Sequence, residues 1–426
     1  MPADHPFTDP GEEDRPLRPA WEDTPDETDA DRARGARRQP RAAGRMPLPG
    51  PAWPAAAELP DLLSPLALAT DALARLDARA AAAPDAVRAG LLARMAFAEA
   101  AGWLAHTHAW VHPLDLALRA AGLTASTALA AVGGGHRALP QTFAGPFDPP
   151  DWATPPFDRL AEGDRVLSEA LTLARLLARL PGSRSGPAGF ADAAEAAVTL
   201  QGLAAGALDV DRLAAWWATH APPPRQRRRF GAGEGGPPAL PPLLALARAA
   251  ACWMEDAITA PPAPALVLLA ASARCGVGGV GTRAAVRTVF VPIWAAYPAV
   301  GFGDPTALPT LRSDAADRLL GRHRPITWPL ACLHLIAESA RMGLRELDRL
   351  TAAAAQGRGL TTLLDQRSRL PDVIDALLRV PVLTPKALAA KLAVAPQTAT
   401  ALLRRLQGEA LVREVTGRGS FRAFAM

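Results

Sequence analysis

Only two lysines, Lys386 and Lys391, and a single tyrosine occur in 426 residues. Aromatic residues make up 5% of the chain. The 49% apolar share is dominated by Ala and Leu, which favour helix over strand, so a β-rich architecture is excluded. The three cysteines, Cys252, Cys275 and Cys332, are far apart and form no CxxC pair. That argues against a zinc site or a disulfide framework and fits a reducing cytoplasm. Long apolar runs are missing too. The longest, "APALVLLAASA" at 263–273, is about half of the ~20 residues a membrane span needs. The N-terminus is acidic and has no apolar segment of the kind a secretory signal carries. The expectation is a soluble, cytoplasmic protein without a membrane partner.

What is abundant is punctuation and unevenly placed charge. Proline (43) and glycine (34) occur in clusters, which predicts helices broken by turns. At roughly 150 residues per domain, the length predicts two or three domains. From Thr384 to Met426 there are seven basic residues against Glu409 and Glu414, a surplus of five, while the whole chain carries only +4. A basic module on a near-neutral body is the electrostatic footprint of nucleic-acid contact; an ordinary solvated basic face is the alternative. Residues 1–31 carry eleven acids and two arginines, and residues 32–45 carry six arginines and no acid. Such blocks have no apolar period to bury, so 1–45 is expected to be a disordered tail, with Met46 as a second candidate start.

A helical period begins in "LPDLLSPLALATDALARLDARA" (59–80), where Leu66, Leu73 and Leu76 share a stripe. Further helices are predicted over Pro84–Ala105, from Pro113 onward and over Gly163–Leu180. Others are predicted over Leu243–Ala257, 264–273, Thr282–Trp294, Trp328–Met342 and Leu344–Ala355. Breaks fall at the Pro-rich 143–158, at "PGSRSGPAG" (181–189) and at the loop 222–242. The domains expected are a helical domain at 46–180, a second packed on it at 190–355, a linker at 356–369 and a C-terminal module at 370–426.

The C-terminal module carries the clearest pattern. In "LTPKALAAKLAVAPQTATALLRRL" (383–406), Thr384 can cap a helix that has Pro385 in its first turn. Leu388 and Leu392 lie one turn apart, Ala389 is the small residue where two helices cross, and Val394 plugs the turn. Pro396 opens a second helix whose Ala399, Leu402, Leu403 and Leu406 form the inward face. Gln397, Thr398, Thr400, Ala401, Arg404 and Arg405 remain outward. Short polar groups come first, where base edges would be met, and arginines later, where phosphates would be. "VREV" (412–415), "TGRGS" (416–420) and "FRAF" (421–424) read as a hairpin, a wing with Arg418 at its tip and Arg413 and Arg422 on its strands. With the helix of "LPDVIDALLRV" (370–380) in front, the order of parts is that of a winged helix-turn-helix. Ala393 stands where glycine is usual, at up to ~1–2 kcal/mol if its backbone is left-handed. Ala395 replaces a capping Ser or Thr, at typically ~1 kcal/mol. A helical hairpin with a strand pair used for protein contact is the bland alternative. The candidate DNA-contacting residues are Lys386, Gln397, Thr398, Thr400, Arg404, Arg405, Arg413, Arg418 and Arg422.

The stretch 383–424 resembles the C-terminal DNA-binding domain of an uncharacterised bacterial family that pairs a long helical domain of unknown function with a helix-turn-helix. "EAAGWLAHTHAWVHPLDLALRAAG" (99–122) looks like that family's N-terminal motif. More remotely, the order of parts is similar to Fic-domain proteins with a C-terminal winged helix. The Fic resemblance implies AMP transfer through a motif of the form HxFx(D/E)GNGRxxR, whose histidine is a base and whose glycine-rich turn holds phosphates. By order in the chain the motif belongs near 257–274, where no histidine, Gly-Asn-Gly or motif arginine stands. The implied fold is therefore mainly α, a multi-helix Fic-like body without Fic chemistry, followed by the winged helix.

Other motifs carry less. "GVGGVG" (276–281) matches a dinucleotide pattern but lacks a preceding strand and an acidic residue ~20 positions on, so a helix–helix turn with Thr282 as cap is the stronger reading. "HTHAWVH" (106–112) gathers three histidines, with His108 and His112 one turn apart and Asp115 nearby. A metal there competes with a plain helix junction. "RQRRRF" (225–230) could add unspecific phosphate contacts or be an inert loop. None of the ten tryptophans lies in the C-terminal module, which argues against stacking on single strands. The expectation is a protein that binds double-stranded DNA, with no enzyme activity, cofactor or metal, whose body dimerises the chain or senses a partner. A divergent nucleotidyl transferase and a protein-interaction scaffold are the competing classes.

Overall fold

A computed structural model describes residues 59–106, 111–123, 156–179, 192–201, 208–220, 240–256, 258–259, 288–302, 310–311, 328–362, 368–416 and 422–426. These belong to one compact unit. The predicted tail 1–45, the segment 264–273, "GVGGVG", "RQRRRF" and Arg418 lie outside the described residues.

The fold is mostly helical. The body contains α1 (Leu59–Ala82), α2 (Asp85–His106), α3 (Pro113–Ala120), α4 (Pro156–Arg179), α5 (Ala193–Gln201), α6 (Val210–His220) and α7 (Pro242–Glu255). A short turn α8 (Tyr297–Val300) leads into an antiparallel pair, β1 (Gly301–Phe302) and β2 (Thr310–Leu311). The 34-residue α9 (Trp328–Thr361) follows. The C-terminal module is α10 (Leu370–Arg379), α11 (Pro385–Leu392), α12 (Pro396–Gly408) and the pair β3 (Arg413–Glu414) with β4 (Phe424–Ala425).

Helix α9 is the axis of the assembly, packing on α1, α2, α7 and α10. Its partner α1 turns Leu62, Ala69, Leu73, Leu76 and Ala80 inward, the apolar stripe its period predicts. The end of α2, Glu99 to His106, is buried throughout, with the 293–297 segment laid against Glu99, Gly102 and His106. A lateral cluster sits where α6 meets α7. Trp216 lies edge-on to Trp253 at 4.9 Å and its indole donates to the Ala249 carbonyl at 2.9 Å.

Two expectations change. Separate helices predicted over Trp328–Met342 and Leu344–Ala355, with a linker from 356, are one continuous helix through Thr361. The glycines inside it are contact points. A Cβ on Gly343 would lie 3.0 Å from Leu76 and 3.1 Å from Met95, and one on Gly357 would lie 2.7 Å from Ile374 of α10. Glycine's cost within a helix, ~1 kcal/mol against alanine, is offset by close packing of neighbouring helices.

The second change concerns Thr288–Trp294, predicted helical, which runs as irregular, fully buried backbone. Pro292 and the β-branched residues around it disfavour helix. Carboxylates from the neighbouring helices take the backbone donors instead. Asp77 of α1 accepts from the Thr288 and Val289 amides at 2.7 and 3.0 Å. Glu99 of α2 accepts from the amides of Ile293, Trp294 and Ala295 at 2.8–3.0 Å. Every such amide needs a partner when buried, and here side chains replace a helix ladder.

Candidate nucleic-acid interface

Helices α11 and α12 form the expected pair. The Thr384 hydroxyl accepts from the Ala387 amide at 3.2 Å, and Pro385 occupies the first turn. Ala393 ends α11 in the left-handed region, φ 52 and ψ 45, where glycine is the ordinary choice. The Val394 amide reaches back to the Ala389 carbonyl at 3.1 Å. Ala395 stands at the N-cap of α12 without a side-chain bond, and Pro396 begins the helix. Ala399, Leu403 and Leu406 are buried and Leu402 half-buried, so the predicted inward face is in place.

Gln397, Thr398, Ala401, Arg404 and Arg405 are exposed along the opposite side of α12. None of the four polar side chains among them has a partner among the described residues, so each can bind something else. The 3.6-residue period brings Gln397, Ala401 and Arg404 onto one stripe, with Thr398 and Arg405 beside it. Lys386 is exposed on the first turn of α11 and Arg413 on β3. Two expected residues are partly spoken for. The Thr400 hydroxyl donates to the Pro396 carbonyl at 2.9 Å, within its own helix. Arg422 is half-buried beside Glu414 at 3.7 Å, which offsets its charge.

The strand pair is shorter than expected: Arg413 faces Ala425, and Glu414 faces Phe424. Its base is pinned to the body. Ala423 and Val382 pack with Ala117, Leu118 and Leu123 around α3. The Thr416 hydroxyl accepts from the buried Ala423 amide at 3.0 Å.

Sequence reasoning missed how this module is held. Arg94 of α2, with a side chain only 9% exposed, donates to the carbonyls of Leu377, Leu378 and Val380 at 3.2, 2.8 and 2.9 Å. These belong to the C-terminal end of α10, where unpaired carbonyls and the helix dipole attract a cation. Glu346 of α9 lies 3.3 Å from the same guanidinium. Burial pulls the Arg94 pKa down to about 10, against the pull of Glu346, so it stays charged at neutral pH. Gly90 lets α10 come so near that a Cβ there would meet the Leu378 carbonyl at 1.9 Å. Two further bonds tie the module down. Arg349 donates to the Met426 carbonyl at 2.6 Å, and the Gln356 amide to the Glu409 carbonyl at 3.1 Å. The signal for the junction was a charged residue, Arg94, inside the apolar run "LLARMAFAEAAGWL".

The histidine cluster is divided. His106 is buried among Trp294 and Tyr297 with ring centroids 4.9 Å away. His112 caps α3, its Nδ1 accepting from the Leu114 amide at 3.1 Å, and His108 lies outside the described residues. No cluster of three or more metal-binding side chains occurs among the described residues. No described helix is long and apolar enough to cross a membrane.

A helix pair presenting unpaired polar and cationic side chains on one exposed face suits a polyanion. Residues 370–426 match a family of helix-turn-helix DNA-binding domains. The helix-turn-helix thus begins with α10 and takes in the terminal strand pair. Over 119 residues the chain is also 34% identical to the Uncharacterized protein y4cF of Sinorhizobium fredii (strain NBRC 101917 / NGR234). That likeness covers 27% of this chain and 29% of the relative's length.

Proposed function

We propose that this chain is a transcriptional regulator that reads duplex DNA through a winged helix, with α12 as recognition helix and the 413–425 hairpin as wing. The observation that carries the reading is the exposed, unpartnered face of α12 within a helix-turn-helix domain. Gln397 and Thr398, at the helix start, contact base edges. Arg404 and Arg405, with Lys386, Arg413 and the wing arginines Arg418 and Arg422, meet phosphate or the minor groove. The body is a non-catalytic, Fic-like scaffold in the cytoplasm that dimerises the chain or senses a partner. The sequence of 257–274 has neither the histidine nor the glycines that AMP transfer would need.

The test is a titration of wild type, Gln397→Ala, Arg405→Ala and Arg418→Ala against selected and random duplexes at several salt concentrations. Gln397→Ala should cost ~1–3 kcal/mol on the selected site and little on random DNA. The two arginine variants should weaken binding to both and flatten the salt dependence. If all three bind both duplexes like wild type, α12 and the hairpin are not the DNA-reading surface and the scaffold reading replaces this one.

A further inference from the structure

A cavity of about 980 Å³ lies between the body and the helix-turn-helix, at the upper end of the range that holds drug-sized ligands. One wall comes from α2 and α9, the other from the end of α12 and the start of β3. Its lining is largely apolar, with Met95, Phe97, Met342 and Leu411 among the side chains. The space is a cleft open to solvent, so a ligand can enter it without unfolding either wall.

Charge narrows the occupant. Four arginines, Arg94, Arg345, Arg349 and Arg413, are among the lining residues, against a single residue with an acidic side chain, Glu346. Arg94 and Arg349 are engaged, with Glu346 and with main-chain carbonyls. Arg345 and Arg413 are exposed, and their side chains have no ion pair or hydrogen bond among the described residues. Arg345 stands on the body and Arg413 on the helix-turn-helix. An arginine with a free planar fork beside apolar surface favours a carboxylate attached to an apolar group.

We infer that this cavity is an effector site for a hydrophobic monocarboxylate, whose apolar part fills the space between α2, α9 and α12 and whose carboxylate is held by Arg345, and by Arg413 when that side chain is not on DNA. Such a ligand touches both sides of the junction. It therefore stabilises one placement of the helix-turn-helix on the body over another, by its difference in affinity for the two. The regulatory consequence rests on the DNA-binding reading; the binding itself does not.

The experiment uses the full chain and decanoate as probe, with 1-decanol and decyltrimethylammonium as uncharged and charge-reversed controls. Calorimetric titration without DNA should give saturable decanoate binding, at least about tenfold tighter than either control, as one charge-assisted contact provides. Arg345→Ala should remove about tenfold of that preference, and Met342→Trp, which fills the cavity, should abolish binding while the circular dichroism spectrum stays that of wild type. Saturating decanoate should then change the affinity for a selected duplex by about fivefold or more, within the usual range of allosteric coupling. Decanoate binding no tighter than decanol, or unaffected by both variants, overturns the site. Binding that leaves duplex affinity unchanged overturns the effector role. A chain that binds decanoate but no DNA refutes the DNA-binding reading and leaves the site standing.

Discussion

Ala393 is the position where backbone geometry and side chain disagree most plainly. Among the described non-glycine residues only Ala393, φ 52, and Ala410, φ 55, are left-handed. Each sits just past a helix and closes it with backward bonds: Val394 N to Ala389 O at 3.1 Å, and Leu411 N to Leu406 O at 3.1 Å. An L-residue pays ~1–2 kcal/mol for that conformation. Glycine escapes the cost but surrenders roughly 0.5–1 kcal/mol more backbone freedom on folding. The difference favours glycine by about 0.5–1 kcal/mol, and both alanines are exposed, so little packing is lost. Ala393→Gly should therefore raise the urea midpoint followed by circular dichroism, and Ala410→Gly should do so independently. Ala401 is the control. It is exposed in the interior of α12, where the same change should destabilise by about 1 kcal/mol. The opposite sign of Ala393→Gly and Ala401→Gly is the decisive readout. If Ala393→Gly destabilises as much as Ala401→Gly, the turn is not left-handed and the helix pair crosses differently.

Arg94→Met should cost about 3 kcal/mol in equilibrium unfolding, since it leaves three helix-end carbonyls at the junction without their donor and takes away one of the two guanidiniums paired with Glu346; a loss under about 1 kcal/mol would mean the junction is held by its other contacts. Burial pushes the Glu99 carboxyl from 4.5 up to about 7, although the Ile293, Trp294 and Ala295 amides pull it down. A raised pKa means that the fold favours the protonated form. Its contribution is therefore full below about pH 4.5 and is lost as pH rises through 7, by about 3 kcal/mol at most. Wild type should lose stability between pH 5 and 7.5 relative to Glu99→Gln, and parallel pH profiles for the two proteins would refute that assignment. Ala395→Ser should add about 1 kcal/mol by capping α12, read by the same urea titration, because the N-cap has no side-chain bond at present.

The elements legible from the sequence were those decided within a turn or two of chain. The period of leucines and alanines predicted α1, α2 and α7 to within a few residues of their observed ends, and Pro113 marked the start of α3. Thr384, Pro385 and Pro396 marked the starts of α11 and α12 because capping and proline chemistry are local. The outward polar face of α12 could be read the same way, since a helix that buries Ala399, Leu403 and Leu406 has only one face left for Gln397, Thr398, Arg404 and Arg405.

Long-range packing decided the rest. Residues 328–361 were expected as two helices and a linker, yet they form one helix in which Gly343 and Gly357 leave room for Leu76, Met95 and Ile374. Residues 288–294 avoid helix because Asp77 and Glu99, about 200 positions away, receive their amides. The helix-turn-helix is held on the body because the Arg94 guanidinium caps a helix that begins nearly 280 residues later. Local propensity and capping act through neighbours in sequence, so one strand of residues suffices to read them. A buried charge, a tolerated glycine or a cavity depends on which distant surfaces meet, and only the folded chain brings those together.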